Sequence, residues 1–203
     1  MDIKAPEKRF GKGTYGEPAF KELTDHINTT KKDETYHLSL FLGFYSPDKE
    51  EAVRQLSQAT NLDVEQVDLN DIVLRSENDT FVNIDQLFDH YQDSNTILYF
   101  TNGDKLCGDY TGFTKSKVKY ATPQERYFIR KVQDYKGIVI IDISEHSAAD
   151  TTIRRAAQSI VDFPLPKSPF QRFLWNFKNW SPHGYDIKTQ RPEVYNRAEG
   201  TIE

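Results

Sequence analysis

A lysine placed shortly after a glycine is the first arrangement in this sequence that could do chemistry. The apolar run 37–42 is predicted to be a buried strand that ends at Gly43, and Lys49 follows six residues later, where a predicted helix begins. Backbone N–H groups in such a turn can bind phosphate together with a lysine ammonium. The spacing is that of G-x-x-x-x-G-K-[ST], so Gly43 and Lys49 are candidate nucleotide-binding residues.

Acidic residues flank this lysine at positions where phosphate binding calls for other residues. Asp48 stands where the second glycine belongs, and Glu50 stands where Ser or Thr would contact magnesium. Like charges about 4 Å apart repel by roughly 4 kcal/mol at an effective dielectric near 20. The favoured interpretation is that Lys49 is an ordinary ion-paired side chain, and the alternative is that it still holds ATP or ADP.

Composition excludes several classes of function for these 203 residues. The formal net charge of -5 argues against nonspecific nucleic-acid binding, and no apolar run reaches the roughly 20 residues that span a bilayer. The five histidines show no paired spacing typical of a metal site. Cys107 is the single cysteine, so an intrachain disulfide is excluded and a cytoplasmic setting is expected.

Alternating strands and helices must position the candidate residues. This alternation predicts an α/β fold, a parallel sheet with helices on both faces. The predicted strands are 37–43, 62–69, 96–100, 137–141 and 159–163, and the predicted helices are 49–59, 83–91, 123–132 and 153–157. Residues 1–36 are interpreted as an extended N-terminal arm with one short helix near 20–27. Residues 37–166 are the predicted α/β domain, and 167–203 an aromatic helix and C-terminal tail.

The stretch 41–166 resembles the core of AAA+ ATPases, most closely the single-domain members of the classical branch. Besides Gly43 and Lys49, the resemblance is carried by the segments Val67-Asp68-Leu69, 97–108 and 127–141, by Arg154-Arg155, and by Phe163-Pro164-Leu165-Pro166. It implies a three-layer P-loop-NTPase-like sheet, ATP or ADP as the ligand, and assembly into an oligomer.

Residues that the family needs for hydrolysis are replaced in this sequence. The Walker B aspartate and glutamate correspond to Thr101 and Asn102, neither of which can hold magnesium or act as a general base. Ser144 takes the place of the sensor asparagine, and Ser76 that of the aromatic residue in the pore loop. The helical lid domain has no counterpart after residue 166. No catalytic residue and no metal site are therefore predicted.

Two further groups of residues are candidate interface positions. In the family, arginines at the positions of Arg154 and Arg155 reach the nucleotide of a neighbouring subunit. The alternative is that Arg154 and Arg155 are two solvated or ion-paired side chains near a helix end. The segment 170–180 contains Phe173, Trp175 and Trp180. It fits either a helix packed over the core or an aromatic anchor for a partner, because Trp dominates interface hot spots.

These features predict a degenerate AAA+ core, a pseudo-ATPase that serves as an assembly, adaptor or regulatory subunit. Its expected partners are proteins, in a homo-oligomer or a larger assembly, with no membrane or nucleic acid involved. The alternative is a protein that binds ATP or ADP and keeps nucleotide-dependent switching or ATPase activity. A third option is a partner of active AAA+ subunits that supplies Arg154 or Arg155 in trans.

Overall fold

The computed structural model describes residues 18–33, 35–44, 46–92, 94–107, 109–110, 119–144, 147–163, 169–170 and 186–189. In chain order the helices are α1 (Pro18–Asp33), α2 (Ser46–Thr60), α3 (Leu69–Ile72), α4 (Glu77–Tyr91), α5 (Pro123–Asp134) and α6 (Thr151–Ala156), with a 3-10 turn at Gly103–Lys105. The strands are β1 (His37–Leu42), β2 (Asp63–Asp68), β3 (Thr96–Thr101), β4 (Asp109–Tyr110), β5 (Lys119–Tyr120), β6 (Ile138–Ile143), β7 (Ser159–Asp162) and β8 (Asp186–Thr189).

A six-stranded sheet organises the described part of the chain, in the order β2-β3-β6-β1-β7-β8. The first five strands are parallel to one another, and β8 pairs antiparallel to β7 at the edge. β4 and β5 form a separate two-stranded hairpin. The predicted α/β class, with a parallel sheet and helices on both faces, is confirmed.

Strand alternation divides the core into two apolar layers. In β1, Leu38, Leu40 and Leu42 point to the layer formed with α3 to α6, whereas Phe41 points to the layer formed with α1 and α2. Both faces are covered, so β1 and β6 are buried along their whole length. Such strands are mostly apolar in sequence, which is why their positions are predictable from the apolar runs.

Helix boundaries are set by capping residues that the periodic pattern does not include. The helix predicted at 83–91 begins six residues earlier, at Glu77, because Ser76 caps it and accepts a hydrogen bond from the Asp79 N–H at 3.3 Å. Thr122 and Asp150 cap α5 and α6 in the same way. None of the described helices combines the length and apolar character that a bilayer crossing requires.

The predicted terminal arms need a correction. Residues 18–33 form α1, a 16-residue helix that buries Phe20, Leu23 and Ile27 beneath the sheet. Its apolar positions recur at helical spacing, but the many charged residues between them conceal the pattern. Within the predicted C-terminal tail, Asp186–Thr189 form the edge strand β8. Residues 1–17, 171–185 and 190–203 lie outside the described residues.

The strand order defines the place at one edge of the sheet, between the ends of β1 and β6, where open α/β sheets have their ligand crevice, called the crevice below. The connection that leaves β1 runs through α2 on one face, and the connection that leaves β6 runs through α6 on the other. Because β1 and β6 are neighbours, their carboxyl ends form a topological switch point, the usual place for ligands in open α/β sheets. Gly43 and the start of α2 lie at this point.

Replacing Ile27 by Ala tests whether α1 belongs to the core. Ile27 is fully buried, so Ile27→Ala is expected to lower the free energy of unfolding by about 2–5 kcal/mol. Urea unfolding measures the change, and Asp25→Ala, an exposed position on the same helix, serves as the control with an expected change below about 0.5 kcal/mol. Equal stability of both variants would contradict the packing of α1.

Candidate functional site

The turn after β1 is closed tightly around Gly43. Gly43 has a φ of +146°, which side chains rarely tolerate, and a Cβ there would come within 2.6 Å of the Phe163 carbonyl oxygen. Its N–H donates to the Ile143 carbonyl at 3.0 Å, and the Phe163 N–H donates to the Leu42 carbonyl at 2.8 Å. The glycine is therefore required by packing between the ends of β6 and β7.

Lys49 lies in the first turns of α2 and points under the helix onto the sheet. Its side chain is fully buried, and its ammonium donates to the carboxylate of Asp142 and to the Gly43 carbonyl. The lysine is ion-paired, as the sequence favoured, but its partner lies on β6. Glu50 is exposed to solvent, and the side chain of Asp48 lies outside the described residues.

Asp142 is held from two directions. One carboxylate oxygen accepts from Lys49, and the other accepts from the Tyr99 hydroxyl at 3.0 Å. Burial raises the pKa of Asp142, while Lys49 and Tyr99 act against this rise by stabilising the carboxylate. Burial and the neighbouring Asp142 charge raise the pKa of Tyr99, which keeps its hydroxyl protonated as a donor. The three side chains form one buried unit, called the Lys49–Asp142–Tyr99 cluster below.

One residue of this cluster, Asp142, can be recognised as unusual from the sequence alone. Asp142 interrupts the apolar strand Ile138–Ile143, and it faces the same layer as Ile138 and Ile140. A carboxylate at a core-facing strand position needs a buried partner, because an unpaired charge there is very costly. That requirement would have identified Asp142 as a site residue but could not have named Lys49 as its partner.

Thr101 and Asn102, which the resemblance assigns to the Walker B positions, bond to β2. The Thr101 hydroxyl donates weakly to the Val67 carbonyl at 3.5 Å, and the Asn102 amide donates to the Asp68 carboxylate at 2.8 Å. Asn102 adopts a left-handed conformation with a φ of 58°, which asparagine tolerates better than most residues. Neither residue supplies a negative oxygen to the crevice.

Ser144, which the resemblance assigns to the sensor position, is bound to the carboxylate of Asp104. Its N–H and its hydroxyl both donate to one oxygen of Asp104, at 3.0 Å and 2.7 Å. No group of three or more His, Cys, Asp or Glu side chains among the described residues could hold a metal ion. Lys49 is engaged by Asp142, and Thr101 and Asn102, which the resemblance assigns to the magnesium-binding and general-base positions, carry no charge.

The remaining predicted site residues are placed as follows. Arg154 lies half-buried in α6 with its Nε donating to the Ala149 carbonyl at 3.0 Å, and Arg155 is exposed beside it. Cys107 is buried in the core, as expected. The predicted interface residues Phe173, Trp175 and Trp180 lie outside the described residues.

A histidine at the opposite edge of the sheet belongs to a cluster that sequence reasoning missed. The His37 Nε2 lies 3.0 Å from the hydroxyls of both Ser39 and Ser159, which are 2.6 Å from each other. All three side chains are buried, so the arrangement offers no access for a substrate. Burial, with a smaller contribution from His26, lowers the pKa of His37 to about 3. The cluster joins β1 to β7 as a structural element.

A cavity of about 480 Å³ opens at this amino-terminal edge, away from the switch point. Its lining is largely polar and includes Thr30, Lys31, Ser94, Asn95 and Lys136. It does not contain any of the residues predicted from the phosphate-binding pattern.

Comparison with known proteins defines the fold and goes no further. No protein-family model matches the sequence, and no curated protein matches it. Among solved structures, the chain is similar to a chain of the E. coli MS115-1 HORMA:CdnC:Trip13 complex, with a TM-score of 0.55 and 14% sequence identity. The match covers 80% of this chain and 67% of the other. At this identity the likeness concerns architecture alone.

The buried His37 predicts a specific loss of stability in acid. Its pKa is about 3 in the folded protein and near 6.5 in the unfolded chain, so only the unfolded state binds a proton between these values. The contribution of His37 to the free energy of unfolding should be constant above pH 6.5 and fall by about 1.4 kcal/mol per pH unit below it. Urea titrations from pH 7 to pH 5 measure this slope.

His37→Gln is the matched control, because it removes the titrating ring. The variant should lose the slope between pH 6.5 and pH 5, whatever its absolute stability. Identical slopes in the two proteins would show that His37 is not buried in its neutral form.

Proposed function

We propose that this chain is a non-catalytic, AAA+-like protein, a pseudo-ATPase that acts as an assembly, adaptor or regulatory subunit. The observation that carries the proposal is the Lys49–Asp142–Tyr99 cluster. Lys49 is the only cation of the phosphate-binding pattern, and its charge is neutralised inside the protein by Asp142. A lysine in this state is not available to a nucleotide without breaking a buried ion pair.

The scaffold supports the AAA+ half of the proposal. The pattern residues Gly43 and Lys49 lie at a topological switch point, where α/β sheets bind their ligands. The architecture resembles that of a chain of the HORMA:CdnC:Trip13 complex, and this is a likeness of fold. The order of the sequence segments that resemble the family, from Leu42 to Phe163, agrees with this placement.

The chemistry of the crevice favours the non-catalytic version over a nucleotide-dependent switch. Magnesium prefers carboxylate and phosphate oxygens, and general-base work needs a group that can accept a proton. Thr101 and Asn102 offer neither, and both side chains are directed to β2. Asp104, in the turn that follows β3, is bonded to Ser144. No ATP, ADP or metal is therefore included in the proposed function.

Exposed aromatic residues support the interaction half of the proposal. Phe44, directly after Gly43, is 61% exposed, and Phe170 is 68% exposed at the start of the aromatic segment. Phe173, Trp175 and Trp180 follow in the sequence, and aromatic residues are enriched at protein interfaces. Arg155 is exposed in α6 and stays available for a contact in trans. We propose a cytoplasmic homo-oligomer or a larger protein assembly.

Calorimetric titration with MgATP and MgADP tests the loss of nucleotide binding. We expect no saturable binding tighter than about 100 μM, because a nucleotide would have to displace Asp142 from Lys49. Lys49→Met is the matched control for any heat that appears. Binding tighter than this limit that disappears in Lys49→Met would establish the nucleotide-dependent alternative instead.

The mass of the purified protein in solution tests the interaction half. We expect either a multiple of the 23.6 kDa chain or a complex with a co-purifying protein. In that species, the double variant Trp175→Ala/Trp180→Ala should weaken association by about 30-fold or more, the loss typical of a hot spot. Gln86→Ala, an exposed polar position on α4, is the control. A monomer at every concentration, with no co-purifying protein, would refute the proposed role.

A further inference from the structure

We propose that the Asp142 carboxylate takes the place of a bound phosphate, so that the chain supplies its own anion to Lys49, the lysine of the phosphate-binding pattern. This inference rests on the proposed function and says which group occupies the same candidate site. In this view the site is occupied in cis at all times, and the scaffold keeps one form without a ligand.

The buried ammonium of Lys49 needs an anion close to it. Its side chain is fully buried at the start of α2, behind a turn that Gly43 closes against Phe163. A buried ammonium must have an anion close to it, because its desolvation is otherwise uncompensated. In a phosphate-binding turn that anion is the ligand, whereas here it is a side chain of the same molecule.

The Asp142 carboxylate is bound in the way that proteins bind a phosphate group. Asp142 accepts hydrogen bonds at both oxygens, from a cation at one and from the Tyr99 hydroxyl at the other. Ammonium and hydroxyl donors converging on an anionic group are what a protein uses to hold a phosphate. The donors come from α2 and β3, and the anion comes from β6, which lies between β3 and β1.

Asp142 occupies a core-facing position near the carboxyl end of β6. It faces the α1 and α2 layer, in line with Ile138 and Ile140, where an apolar residue would otherwise pack. The strand register places Asp142 beside Phe41, two residues before the glycine turn. At this register the buried Asp142 carboxylate contacts Lys49 near the carboxyl end of the sheet.

An experiment can distinguish a phosphate substitute from an ordinary buried ion pair. Asp142→Ala removes the carboxylate, leaves Lys49 and Tyr99 in place and vacates space beside them. The melting temperature of this variant should fall by about 6–20 °C, because the lysine loses its partner. Inorganic phosphate and pyrophosphate are then added at increasing concentration, and sodium formate is added at matched ionic strength.

We expect phosphate or pyrophosphate to restore stability to Asp142→Ala in a saturable manner. The melting temperature should rise by about 5–10 °C when the ligand is a hundredfold above its dissociation constant. The wild-type protein and the double variant Lys49→Met/Asp142→Ala are measured in the same solutions. They report the nonspecific effect of the salts, which strengthens burial in every protein, and should show no saturable rise.

Three results would overturn the inference. Rescue by formate but not by phosphate would show that the vacated space accepts a carboxylate only, so that Asp142 is an ordinary ion-pair partner. An equal rise of the melting temperature in the single and double variants would show that the added anion does not bind to Lys49. An Asp142→Ala protein that stays unfolded in all three anions would show that no external anion can replace the side chain. None of these results affects the proposed function, which depends on nucleotide titration of the wild-type protein.

Discussion

The buried ion pair between Lys49 and Asp142 is the constraint on which the carboxyl edge of this protein depends. A lysine and an aspartate removed from water are stable only if each neutralises the other and their remaining hydrogen-bonding atoms find partners. Tyr99 and the Gly43 carbonyl supply those partners. Through these contacts, β3, β6, the turn after β1 and the start of α2 are joined at one point. The packing of Gly43 against Phe163 adds the end of β7 to the same assembly.

The polar side chains around this point are directed to one another across the strand ends. Asn102 bonds to Asp68, Ser144 bonds to Asp104, and Thr101 bonds to the Val67 carbonyl. Each such bond ties neighbouring strand ends together, and it also removes a group that a ligand could have used. The same bonds engage Asp68, Asp104 and Ser144 within the protein, at the edge of the sheet where open α/β folds bind their ligands.

Much of the fold was predictable because its central strands are mostly apolar and are separated by amphipathic stretches. The runs at 37–43, 96–100 and 137–141 indicate central strands, and the stretches 49–59, 83–91 and 123–132 indicate covering helices. Prediction failed where the signal was diluted by charge or set by tertiary pairing. α1 is rich in polar residues between its buried positions, and β8 is a strand only because the edge of β7 is open to it. The caps at Ser76 and Asp150 likewise moved helix boundaries that periodicity does not fix.

The sequence by itself determined the α/β class, the glycine at the turn after β1 and the uncharged residues Thr101 and Asn102 at the end of β3, since each depends on residue type at a local position. It also indicated that Lys49 is ion-paired. Only the tertiary structure decided the partner. The acidic neighbours in the chain suggested themselves, yet the partner Asp142 is 93 positions away. Strand order places β6 beside β1, and the register sets Asp142 next to Phe41, within reach of the first turns of α2. Contacts between strands depend on that order, which no local pattern of residues encodes.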